Sequence, residues 1–418
     1  MQLSIVIPTL NERENIIRLL PLLREAIPPD ISAYEIIVVD GHSKDGSAQA
    51  AAQLGARVIL QSLPGYGGAL QEGFRHARGA YIITLDADLS HPPDFVTALW
   101  QSRGQGELVV ASRYVPGGKA EMPVMRWILS RILNITFSRA ISVPVRDVSS
   151  GFRLYKATLL QDMPIQSLHF DVLEEILIRA LDAGWRVIEV PFHYKPRASG
   201  KSHAKLLKFG WAYLKTLLRM WQLRNSVDSA DYDYRAYDSI IPLQRYWQRT
   251  RHRIILDFAR GAGRILDVGC GSSRILLDLD NAVGLDIRIS KIRYMRRHQA
   301  YGLVGSVMAL PIADQSFDCV ICSEVIEHLP AASAIFQELA RVLKPQGRLI
   351  IGTPNYGNII WPTVEFFYGL FAPGGYADEH ITHYTQRSLE EVLRQHGFEC
   401  QEVRWVARAE MIMCCVKR

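Results

Sequence analysis

Two closely spaced carboxylates are the first feature of the chain that indicates chemistry. Asp86 and Asp88 stand one residue apart where an apolar run ends, in the segment TLDADLSHPPD. On an extended strand, residues two apart point to the same side. Two like charges held there repel each other unless a cation or a basic ligand joins them. The pair therefore predicts a site for such a ligand, and the alternative is a strand end capped by solvated acids.

A glycine-rich turn in the second half is the other such feature. The segment RILDVGCGSSR predicts a strand that ends on Asp267, followed by Gly269 and Gly271, and the next strand, AVGLDI, ends on Asp286. Glycines let the backbone approach a ligand closely, and an acid after the second strand can accept both hydroxyls of a ribose. NAD-dependent enzymes are among the proteins that have such a glycine turn and acid, so the turn alone leaves the identity of the ligand open.

Alternating elements position the first pair. Strands are predicted at residues 3–7, 35–40, 57–60, 81–85 and 107–111, with helical patterns between them, for example at 14–26 and 95–101. This alternation is typical of an α/β fold with a mainly parallel sheet. Ligands of such folds bind outside the carboxyl ends of the strands. Asp40, Asp86 and Arg113 all lie at or just past such ends.

A second alternation begins near residue 250, with strands predicted at 264–268, 282–286, 317–322, 347–352 and 411–417. The segment between the halves, NSVDSADYDYRAYDS, is polar, acidic and rich in tyrosine, which indicates a linker or the lead-in to a second domain. A chain of 418 residues fits two domains of ordinary size. We therefore predict two α/β domains, at residues 1–227 and 228–418.

Composition narrows the class of protein. Hydrophobic residues make up 48% and charged residues 22%, which is typical of a globular protein. The net charge of +6 suits an anionic substrate or membrane surface, and without a basic run threaded with aromatics no nucleic-acid partner is predicted. The six cysteines occupy strand-like runs and are predicted to be free, with Cys319 and Cys322 on opposite faces of a strand. Neither a signal peptide nor a membrane span is predicted.

Four motifs of the first half carry a family resemblance. In order they are IVIPTLNERENI, IIVVDGHSKDGS, GYGGALQEGFRHARG and LDADLSHPP, and together they resemble the inverting glycosyltransferases of family 2, which have the GT-A fold. The resemblance implies a nucleotide-sugar donor, and a Mg²⁺ or Mn²⁺ ion that neutralises the leaving diphosphate. The implied ligands of the metal are Asp86, Asp88 and Ser90, and those of the donor include Pro8, Thr9, Asn11, Glu12 and Asp40. The glycine-rich turn at 65–79 suits a close approach of backbone to ligand.

Later motifs narrow the resemblance to one type within that family. The segments LVVASRYVPGG, SRILN, DVSSGFRLYK and VPFHYKPRASGKSH are similar to dolichol-phosphate mannose synthases and related polyprenyl-phosphate glycosyltransferases, over roughly the first 220 residues. The resemblance implies a polyprenyl phosphate acceptor with Arg113, Arg131 and Asn134 around its phosphate, and a segment containing Arg197 and Ser202 that closes over the diphosphate. It makes Asp86, Asp88, Arg113 and Arg131 the candidate catalytic residues and mannose the first candidate sugar. Ser90 stands where these synthases often carry Gln, which leaves the sugar preference open.

A basic amphipathic helix is predicted at residues 203–224. At about 100° per residue its basic side chains share one arc and its apolar side chains spread across the opposite face. Such a helix suits the interface of an anionic membrane, so we predict a peripheral protein on the cytoplasmic face of a membrane. The alternative is a helix packed on its own domain with a basic outer face. The basic arc contains Lys201, Lys205, Lys208, Lys215 and Arg219, and the apolar face contains Leu206, Phe209, Tyr213, Leu214, Leu217, Met220 and Trp221.

The second half resembles the class I S-adenosylmethionine-dependent methyltransferases over roughly residues 240–418. The resemblance rests on the glycine turn together with FDCVICSEVIEHLP and ELARVLKPQGRLIIGTPN. It implies that S-adenosylmethionine is the cofactor, with Val307 near the adenine. Ser306 stands where many relatives carry Asp. The implied cofactor-binding residues are Asp267, Gly269, Gly271, Asp286 and Val307.

The methyl acceptor is left open by the sequence. His328 is either a base or a structural helix residue, and His380 and His383 form either a metal pair or a polar lid. The apolar segment at 358–376 is either a lid over an apolar substrate or core packing.

Together these patterns predict a bifunctional enzyme that glycosylates a polyprenyl phosphate and methylates a second, unknown acceptor. A glycan or a lipid-linked intermediate is the candidate for this methyl acceptor. Three alternatives remain: a soluble glycan or polysaccharide acceptor for the sugar, a methyltransferase domain that binds without catalysing, and a scaffold without enzymatic activity.

Overall fold

The computed structural model describes residues 1–195, 206–330, 333–371 and 380–418. The chain divides into two compact units. The first contains Met1–Leu181 and Trp185–Arg224, and the second contains Asp182–Gly184 and Asn225–Arg418. Arg197, Ser202 and the first residues of the predicted amphipathic helix lie outside the described residues.

The first unit is built on a seven-stranded sheet of order β3-β2-β1-β4-β7-β5-β8. Its neighbouring strands are parallel except β7, which is antiparallel to β4 and β5. The strands are β1 (Leu3–Thr9), β2 (Tyr34–Asp40), β3 (Arg57–Leu60), β4 (Tyr81–Thr84), β5 (Leu108–Ser112), β7 (Arg153–Lys156) and β8 (Val187–Pro191), and a small second sheet pairs β6 (Lys119–Ala120) with β9 (His193–Tyr194). The helices are α1 (Arg13–Glu25), α2 (Ser47–Gln53), α3 (Gly65–His76), α4 (Val96–Gln101), α5 (Val124–Ala140), α6 (Ala157–Leu160), α7 (Val172–Asp182) and α8 (Leu206–Asn225).

Strand β1 shows how this sheet positions its loops. Ile5 and Ile7 pack into the apolar cluster on one face, whereas Val6 packs into the cluster on the other face. A strand covered on both faces has a continuous apolar sequence rather than an alternating one. Thr9 pairs with Asp40 in the parallel register, so the carboxyl ends of β1 and β2 reach the same edge of the sheet.

The second unit is built on a seven-stranded sheet of order β12-β11-β10-β13-β14-β16-β15. Its first five strands are parallel, and β16 runs antiparallel between β14 and β15. The strands are β10 (Ile265–Val268), β11 (Ala282–Asp286), β12 (Tyr301–Val304), β13 (Phe317–Ser323), β14 (Leu343–Pro354), β15 (Phe398–Val406) and β16 (Glu410–Lys417). The helices are α9 (Tyr232–Tyr237), α10 (Pro242–Ala259), α11 (Ile289–Arg296), α12 (Ser333–Val342), α13 (Ile360–Phe371) and α14 (Gln386–Gln395).

The predicted fold class, two α/β domains with mainly parallel sheets, is confirmed. The cysteines are free, and Cys319 and Cys322 belong to the apolar clusters on opposite faces of the second sheet, as predicted. None of the described helices is both long and apolar enough to cross a lipid bilayer.

Two candidate active sites

The loops after β1 and β2 are bonded to each other at the edge of the first sheet. The side-chain oxygen of Asn11 accepts the backbone N–H of Lys44 at 2.9 Å, and the backbone N–H of Asn11 donates to the hydroxyl of Ser43 at 2.8 Å. Asn11 adopts a positive φ of 54°, a conformation that asparagine tolerates better than most residues. The two loops therefore form one rigid rim beside Pro8 and Thr9.

Asp40 presents a buried acceptor at this rim. One carboxylate oxygen accepts the N–H of Ser43 at 2.9 Å. The other, Oδ1, is buried and has no hydrogen-bond partner among the described residues. A buried polar atom without a partner is costly, so Oδ1 is suited to receive an N–H group of a ligand. Glu12 lies nearby in the chain and bonds the Asn15 amide at 2.5 Å.

Asp86 and Asp88 follow β4 on a turn that is fixed from several sides. Asp86 accepts the Tyr66 hydroxyl at 3.1 Å, and Asp88 accepts the backbone N–H of Ser90 at 3.0 Å. Leu89, between them and Ser90, has a positive φ of 62°. The hydroxyl oxygen of Ser90 is buried and unbonded within the part of the chain that the structure describes. Both carboxylates are thus held by hydrogen bonds, and Ser90 next to Asp88 in the turn offers a further buried oxygen.

His91 is a site residue that the sequence analysis missed. Its Nδ1 accepts the backbone N–H of Asp86 at 2.9 Å, and its ring stacks on Phe152 with centroids 4.9 Å apart. Burial lowers the pKa of His91, which keeps the ring neutral at physiological pH. A neutral acceptor nitrogen fixes the backbone of the aspartate turn. A histidine in LSHPP carries no signal in the sequence that would distinguish this role from a solvated loop residue.

Arg113 and Asn134 both contact Ser149, and Arg113 has its own counterion. Its guanidinium makes two bonds to buried Asp147, at 2.8 and 2.7 Å, and a third to Ser149 at 2.9 Å. Asn134 donates to the same Ser149 hydroxyl at 3.1 Å and accepts the N–H of Val148 at 2.7 Å. Arg113 is therefore held in a fixed orientation by Asp147 and Ser149.

Arg131 lies in a different environment, on a cleft of about 540 Å³. Its guanidinium carbon is 4.9 Å from the centre of the Tyr114 ring, whose hydroxyl bonds to Ser130 at 2.7 Å. Asn134 also lines this cleft, together with Arg139 and Arg146. Three arginines around one cleft, of which Arg131 stacks on an aromatic ring, make it suited to a phosphate.

Helix α5, which carries Arg131 and Asn134, also presents an apolar surface to solvent. Val124, Met125 and Ile132 are exposed by 73%, 68% and 56%. Trp127, Ile128, Leu129 and Ile135 are exposed as well. Contiguous exposed apolar side chains mark a surface that binds another apolar surface. This surface is not evident from the sequence, because apolar residues alone do not show which side of a helix is uncovered.

Helix α8 only partly has the predicted two faces. Met220 is fully buried, and Tyr213 and Leu217 pack against the core of the first unit. Arg219, predicted to lie on a basic face, forms an ion pair of 2.9 Å with buried Glu175. Leu214, Leu218 and Trp221 are exposed. The described part of this helix therefore packs on its own domain and leaves a narrow apolar strip uncovered.

The glycine-rich turn of α3 approaches protein rather than open space. A Cβ added to Gly67 would lie 2.6 Å from the carbonyl oxygen of Ser167, and one added to Gly73 would lie 2.2 Å from Val6. The expectation that these glycines serve a close approach to ligand is wrong at these two positions. They allow the helix to sit tightly against β1 and the segment that contains Ser167.

In the second unit, the predicted cofactor residues surround one cavity of about 540 Å³. Asp286 accepts the N–H of Gly271 at 2.9 Å and that of Arg288 at 2.8 Å. Gly269 and Gly271 have positive φ values of 69° and 56°, and a Cβ on Gly269 would lie 2.2 Å from Val325. The turn thus has the close geometry that only glycine allows. The residues brought together are Asp267, Gly269, Gly271, Asp286 and Val307.

Asp267 is the electrostatically unusual member of this set. Burial and the nearby charge of Asp286 raise its pKa to about 7. Its Oδ2 is buried and lacks a partner among the residues described. A cation placed beside Asp267 and Asp286 would offset both effects.

Asp233 and Lys291 are further cavity residues that the sequence analysis missed. Their side chains form an ion pair of 2.7 Å, and Asp233 also accepts the N–H of Ser272 in the glycine turn at 3.0 Å. Asp233 comes from the acidic, tyrosine-rich segment between the two alternations. The segment is therefore part of the wall of the cavity and not only a linker.

Comparisons with known proteins match each half of the chain to a family. Residues 4–163 match the model of glycosyl transferase family 2, and residues 266–351 match the model of a methyltransferase domain. The chain is 32% identical over 238 residues to a dolichol-phosphate mannosyltransferase of Pyrococcus furiosus, and this alignment covers 54% of the chain and 66% of that relative. It is 31% identical over 199 residues to an uncharacterised glycosyltransferase of Mycobacterium tuberculosis, and this alignment covers 48% of the chain and 88% of that relative.

Two solved structures are similar in parts. A glucosyl-3-phosphoglycerate synthase of Mycobacterium tuberculosis, solved with Mn²⁺, UDP and glucosyl-3-phosphoglycerate, aligns over 52% of the chain and 79% of its own length, with 21% identity and a TM-score of 0.43. An S-adenosylmethionine-dependent methyltransferase of Thermotoga maritima, a possible histamine N-methyltransferase, aligns over 44% of the chain and 95% of its own length, with 17% identity and a TM-score of 0.38.

The fold and the family matches together define a transferase with two α/β domains. The chain belongs to glycosyltransferase family 2 through its N-terminal half, and its C-terminal half carries a methyltransferase domain. Both predicted resemblances are confirmed at this level.

Proposed function

We propose that the chain is a bifunctional enzyme whose N-terminal domain, residues 1–227, transfers a sugar, mannose first among the candidates, from a nucleotide donor to a polyprenyl phosphate. The observation that carries this proposal is the position of the exposed apolar surface of α5 beside the arginine-lined cleft at Arg131. A lipid phosphate has both an apolar chain and a dianionic head, so it needs both surfaces together. The identity to the Pyrococcus mannosyltransferase supports the same acceptor.

The donor would bind at the rim formed by the loops after β1 and β2. Buried Oδ1 of Asp40 is an acceptor for an N–H of the base, and Asp86 and Asp88 face the diphosphate. The residues fit a divalent cation, because two carboxylates supply hard oxygen ligands, and Ser90, whose N–H is bonded to Asp88, has a buried hydroxyl that is unbonded among the described residues. A bound Mg²⁺ or Mn²⁺ would neutralise the charge that develops on the leaving diphosphate.

The acceptor needs orientation more than it needs a base. A phosphate monoester is ionised near neutral pH, so its oxygen can attack the anomeric carbon in line, with inversion, without losing a proton first. Arg131 would bind the phosphate, whereas the Arg113–Asp147 pair and Asn134 would form the rigid protein surface next to it. Arg197 and Ser202 are proposed to cover the diphosphate.

The location that we propose is the cytoplasmic face of a membrane, with the protein bound peripherally. Support comes from the exposed surface of α5 and from Leu214, Leu218 and Trp221 on α8. The proposed partners are a nucleotide sugar, a polyprenyl phosphate and the membrane surface, without nucleic acid.

The first domain is tested by changing Arg131. Purified protein, Mn²⁺ and a long-chain polyprenyl phosphate are mixed with labelled GDP-mannose, UDP-glucose or UDP-N-acetylglucosamine, and label in the organic phase is counted. We expect label from one donor, and Arg131→Ala to raise the KM for the lipid by about 10- to 100-fold, because one charge-assisted phosphate contact contributes about 1.5–3 kcal/mol.

The matched control is Arg18→Ala, since Arg18 is exposed on α1. It is expected to leave the KM unchanged. If no donor labels the organic phase while soluble glycans stimulate release of nucleotide, the lipid acceptor is refuted and a glycan-extending transferase takes its place.

The C-terminal domain, residues 228–418, is proposed to transfer a methyl group from S-adenosylmethionine to a glycan or lipid-linked acceptor. The cavity fits this cofactor, because Gly269 and Gly271 leave room that a Cβ would fill and Asp267 offers a buried, unbonded oxygen. When bound, the cofactor supplies an electrophilic methyl group on a positively charged sulfur. Asp286 would accept the ribose hydroxyls and Val307 would contact the adenine.

The raised pKa of Asp267 predicts a pH dependence of cofactor binding. A positively charged ligand favours the ionised carboxylate, so below pH 7 binding must release a proton and is weakened. With a pKa of about 7 we expect the affinity for S-adenosylmethionine to rise from pH 6 to pH 8, by up to about tenfold per unit below the pKa. Calorimetry at pH 6, 7 and 8 measures this dependence.

Asp267→Asn provides the control for this slope, because it removes the titrating group and keeps the shape. It should flatten the dependence of affinity on pH, and an unchanged slope would show that another group titrates.

The pH dependence of the stability of the domain has the opposite sign. Because the folded state binds this proton more tightly than the unfolded state, the ligand-free domain loses stability as the pH rises from the ordinary value of 3.8 towards 7.

A further inference from the structure

A cluster of metal-binding side chains lies beside the cofactor cavity of the second domain. Glu327, His328 and His380 each offer a ligand atom, and these atoms all lie within 4.8 Å of one another. His328 Nε2 is 3.9 Å from Glu327 Oε1, and the two histidine rings have centroids 5.0 Å apart. His328 also lines the cavity that contains Asp267 and the glycine turn.

Glu327 supplies an independent sign of a missing ligand. The residue is fully buried, and its Oε2 accepts the hydroxyl of Thr353 at 3.1 Å. Its Oε1, on the side of His328, has no hydrogen-bond partner within the described parts of the chain. A buried carboxylate oxygen without a donor is among the most costly groups in a protein interior, unless a cation binds it.

His380 is oriented by a carboxylate, as metal-binding histidines usually are. Its Nδ1 is 2.8 Å from Glu365 Oε1 and 2.9 Å from the hydroxyl of Tyr356. Because a carboxylate can only accept, Nδ1 carries the proton and Nε2 carries the lone pair. Glu365 therefore selects the tautomer in which Nε2 can bind a metal.

Hydrogen bonds hold the segment after His380 against the backbone of Glu327 and Leu329. The N–H groups of Ile381 and Thr382 donate to the carbonyl oxygen of Glu327 at 2.8 and 3.0 Å. The hydroxyl of Thr382 donates to the carbonyl of Leu329 at 2.6 Å. Two segments that are distant in sequence are thus held in one arrangement, which is what a preorganised metal site requires.

The neighbouring cationic side chain is committed elsewhere. Arg251 makes two bonds to buried Glu410, at 2.6 and 2.8 Å, and an ion pair of 3.0 Å to Glu324. Glu324 also lines the cavity, and its Oε1 is a second buried oxygen without a partner among the residues described. A cation from solution beside the buried oxygens of Glu327 and Glu324 would offset the cost of burying these carboxylates.

We propose that Glu327, His328 and His380 bind a divalent cation such as Mn²⁺ or Zn²⁺ at the end of the cofactor cavity. Two imidazoles and one carboxylate suit such ions better than Ca²⁺ or Mg²⁺, which prefer oxygen ligands alone. Three protein ligands leave coordination positions open for a substrate.

An open position assigns a class to the methyl acceptor, on the assumption that the proposed methyltransferase activity is correct. The acceptor is a hydroxyl group whose oxygen binds the cation, which lowers the pKa of the hydroxyl. Its proton passes to water, the oxygen forms a bond to the methyl carbon, and the carbon–sulfur bond breaks with its electron pair on sulfur. The products are a methyl ether and the uncharged thioether S-adenosylhomocysteine, so atoms and charge balance.

The test is pulsed electron paramagnetic resonance of Mn²⁺ bound to the full chain. Asp86→Asn and Asp88→Asn are introduced first, so that the candidate site of the first domain does not hold the ion. Electron spin-echo modulation detects ¹⁴N nuclei of coordinated imidazoles. We expect a two-imidazole pattern that falls to one in His328→Ala or in His380→Ala, and Glu327→Gln to weaken Mn²⁺ binding by at least tenfold. Broadening of the lines in ¹⁷O-labelled water should show the open positions.

His383→Ala is the matched control. His383 lies three residues from His380, but its ring stacks on Tyr356 with centroids 4.0 Å apart and it is not among the clustered ligands. It should keep the full ¹⁴N pattern. The absence of ¹⁴N modulation in the starting protein, or an equal loss in His383→Ala, would overturn the site, and unbroadened lines in ¹⁷O-water would overturn the bound acceptor.

Calorimetry with S-adenosylmethionine on the same samples separates this proposal from the proposed function. Variants that bind the cofactor normally have kept the fold of the cavity. If the unaltered protein binds no cofactor but shows the ¹⁴N pattern, the methyltransferase function fails while the metal site stands. The reverse result refutes the metal site alone.

Discussion

Asp88→Asn is expected to lower metal-dependent sugar transfer by about 10³-fold. The substitution removes one negative charge from the pair that would hold the cation at the leaving diphosphate. Loss of one preorganised electrostatic group at a site of developing charge costs about 10²–10³ in rate, and a metal ligand lies at the upper end of this range. The measurement is label transferred from the nucleotide sugar at saturating Mn²⁺.

The amide is a suitable replacement because it keeps the local fold. Asp88 accepts the backbone N–H of Ser90 at 3.0 Å, and the side-chain oxygen of asparagine can accept the same bond. A loss of activity without a change in thermal unfolding is then a loss of charge rather than of structure.

The exposed residue Asp94, on the same loop, provides the matched control. Asp94→Asn changes the net charge equally and should leave transfer within about twofold of the starting protein, since a solvated charge at that position is screened. If Asp88→Asn retains cellular function in full, a role as a scaffold without enzymatic activity would be favoured.

The strands that carry this site were predictable because of their composition. β1 and β2 are covered on both faces, so each contains an apolar run, at residues 5–7 and 36–39, that is followed by polar residues at the end of the strand. The predicted strand at 282–286 coincides with β11. Such runs show where each strand ends, and so they predict the carboxyl edge of each sheet from the sequence alone. The position of Asp40 beside the loop after β1 is a consequence of that edge.

Strand β7 was missed for a physical reason. Its sequence, RLYK, is half basic, yet Arg153 is completely buried. The guanidinium of Arg153 donates to the carbonyl oxygens of Val148, Ser150 and Leu173 at 2.6 to 2.7 Å. Two of those acceptors lie five and three residues earlier in the chain, and the third lies 20 residues later. A buried arginine that satisfies its donors with backbone carbonyls in this way does not show the apolar pattern by which a buried strand is recognised.

Other parts of the site depend on tertiary packing in the same way. The neighbours that pack against a helix decide which of its faces is uncovered, as they do for α5. They also decide that Met220 of α8 belongs to the core of its own domain. The contact of Asp233 with the glycine turn joins residues 39 positions apart. The sequence predicted the residues that bear charge, but the distances between them come from the fold.

Asp286→Ala is expected to reduce the affinity for S-adenosylmethionine by about 10²–10⁴-fold. In the proposed complex the carboxylate accepts both ribose hydroxyls, and each bond to a charged acceptor contributes about 1.5–3 kcal/mol. The carboxylate also accepts the N–H groups of Gly271 and Arg288, so its removal loosens the turn that leaves room for the cofactor. Both effects act in the same direction.

Calorimetry of three proteins separates these contributions. Asp286→Asn can keep one backbone contact but lacks the charge, so its affinity should fall between those of the unaltered protein and Asp286→Ala. Asp280→Ala removes an exposed acid six positions earlier and should bind as the unaltered protein does. Equal heats for the unaltered protein and Asp286→Ala would place the cofactor outside this cavity. The absence of heat from all of them, in proteins with normal thermal unfolding, would mean that the domain is an inert module, and the proposed methyl transfer would then be wrong.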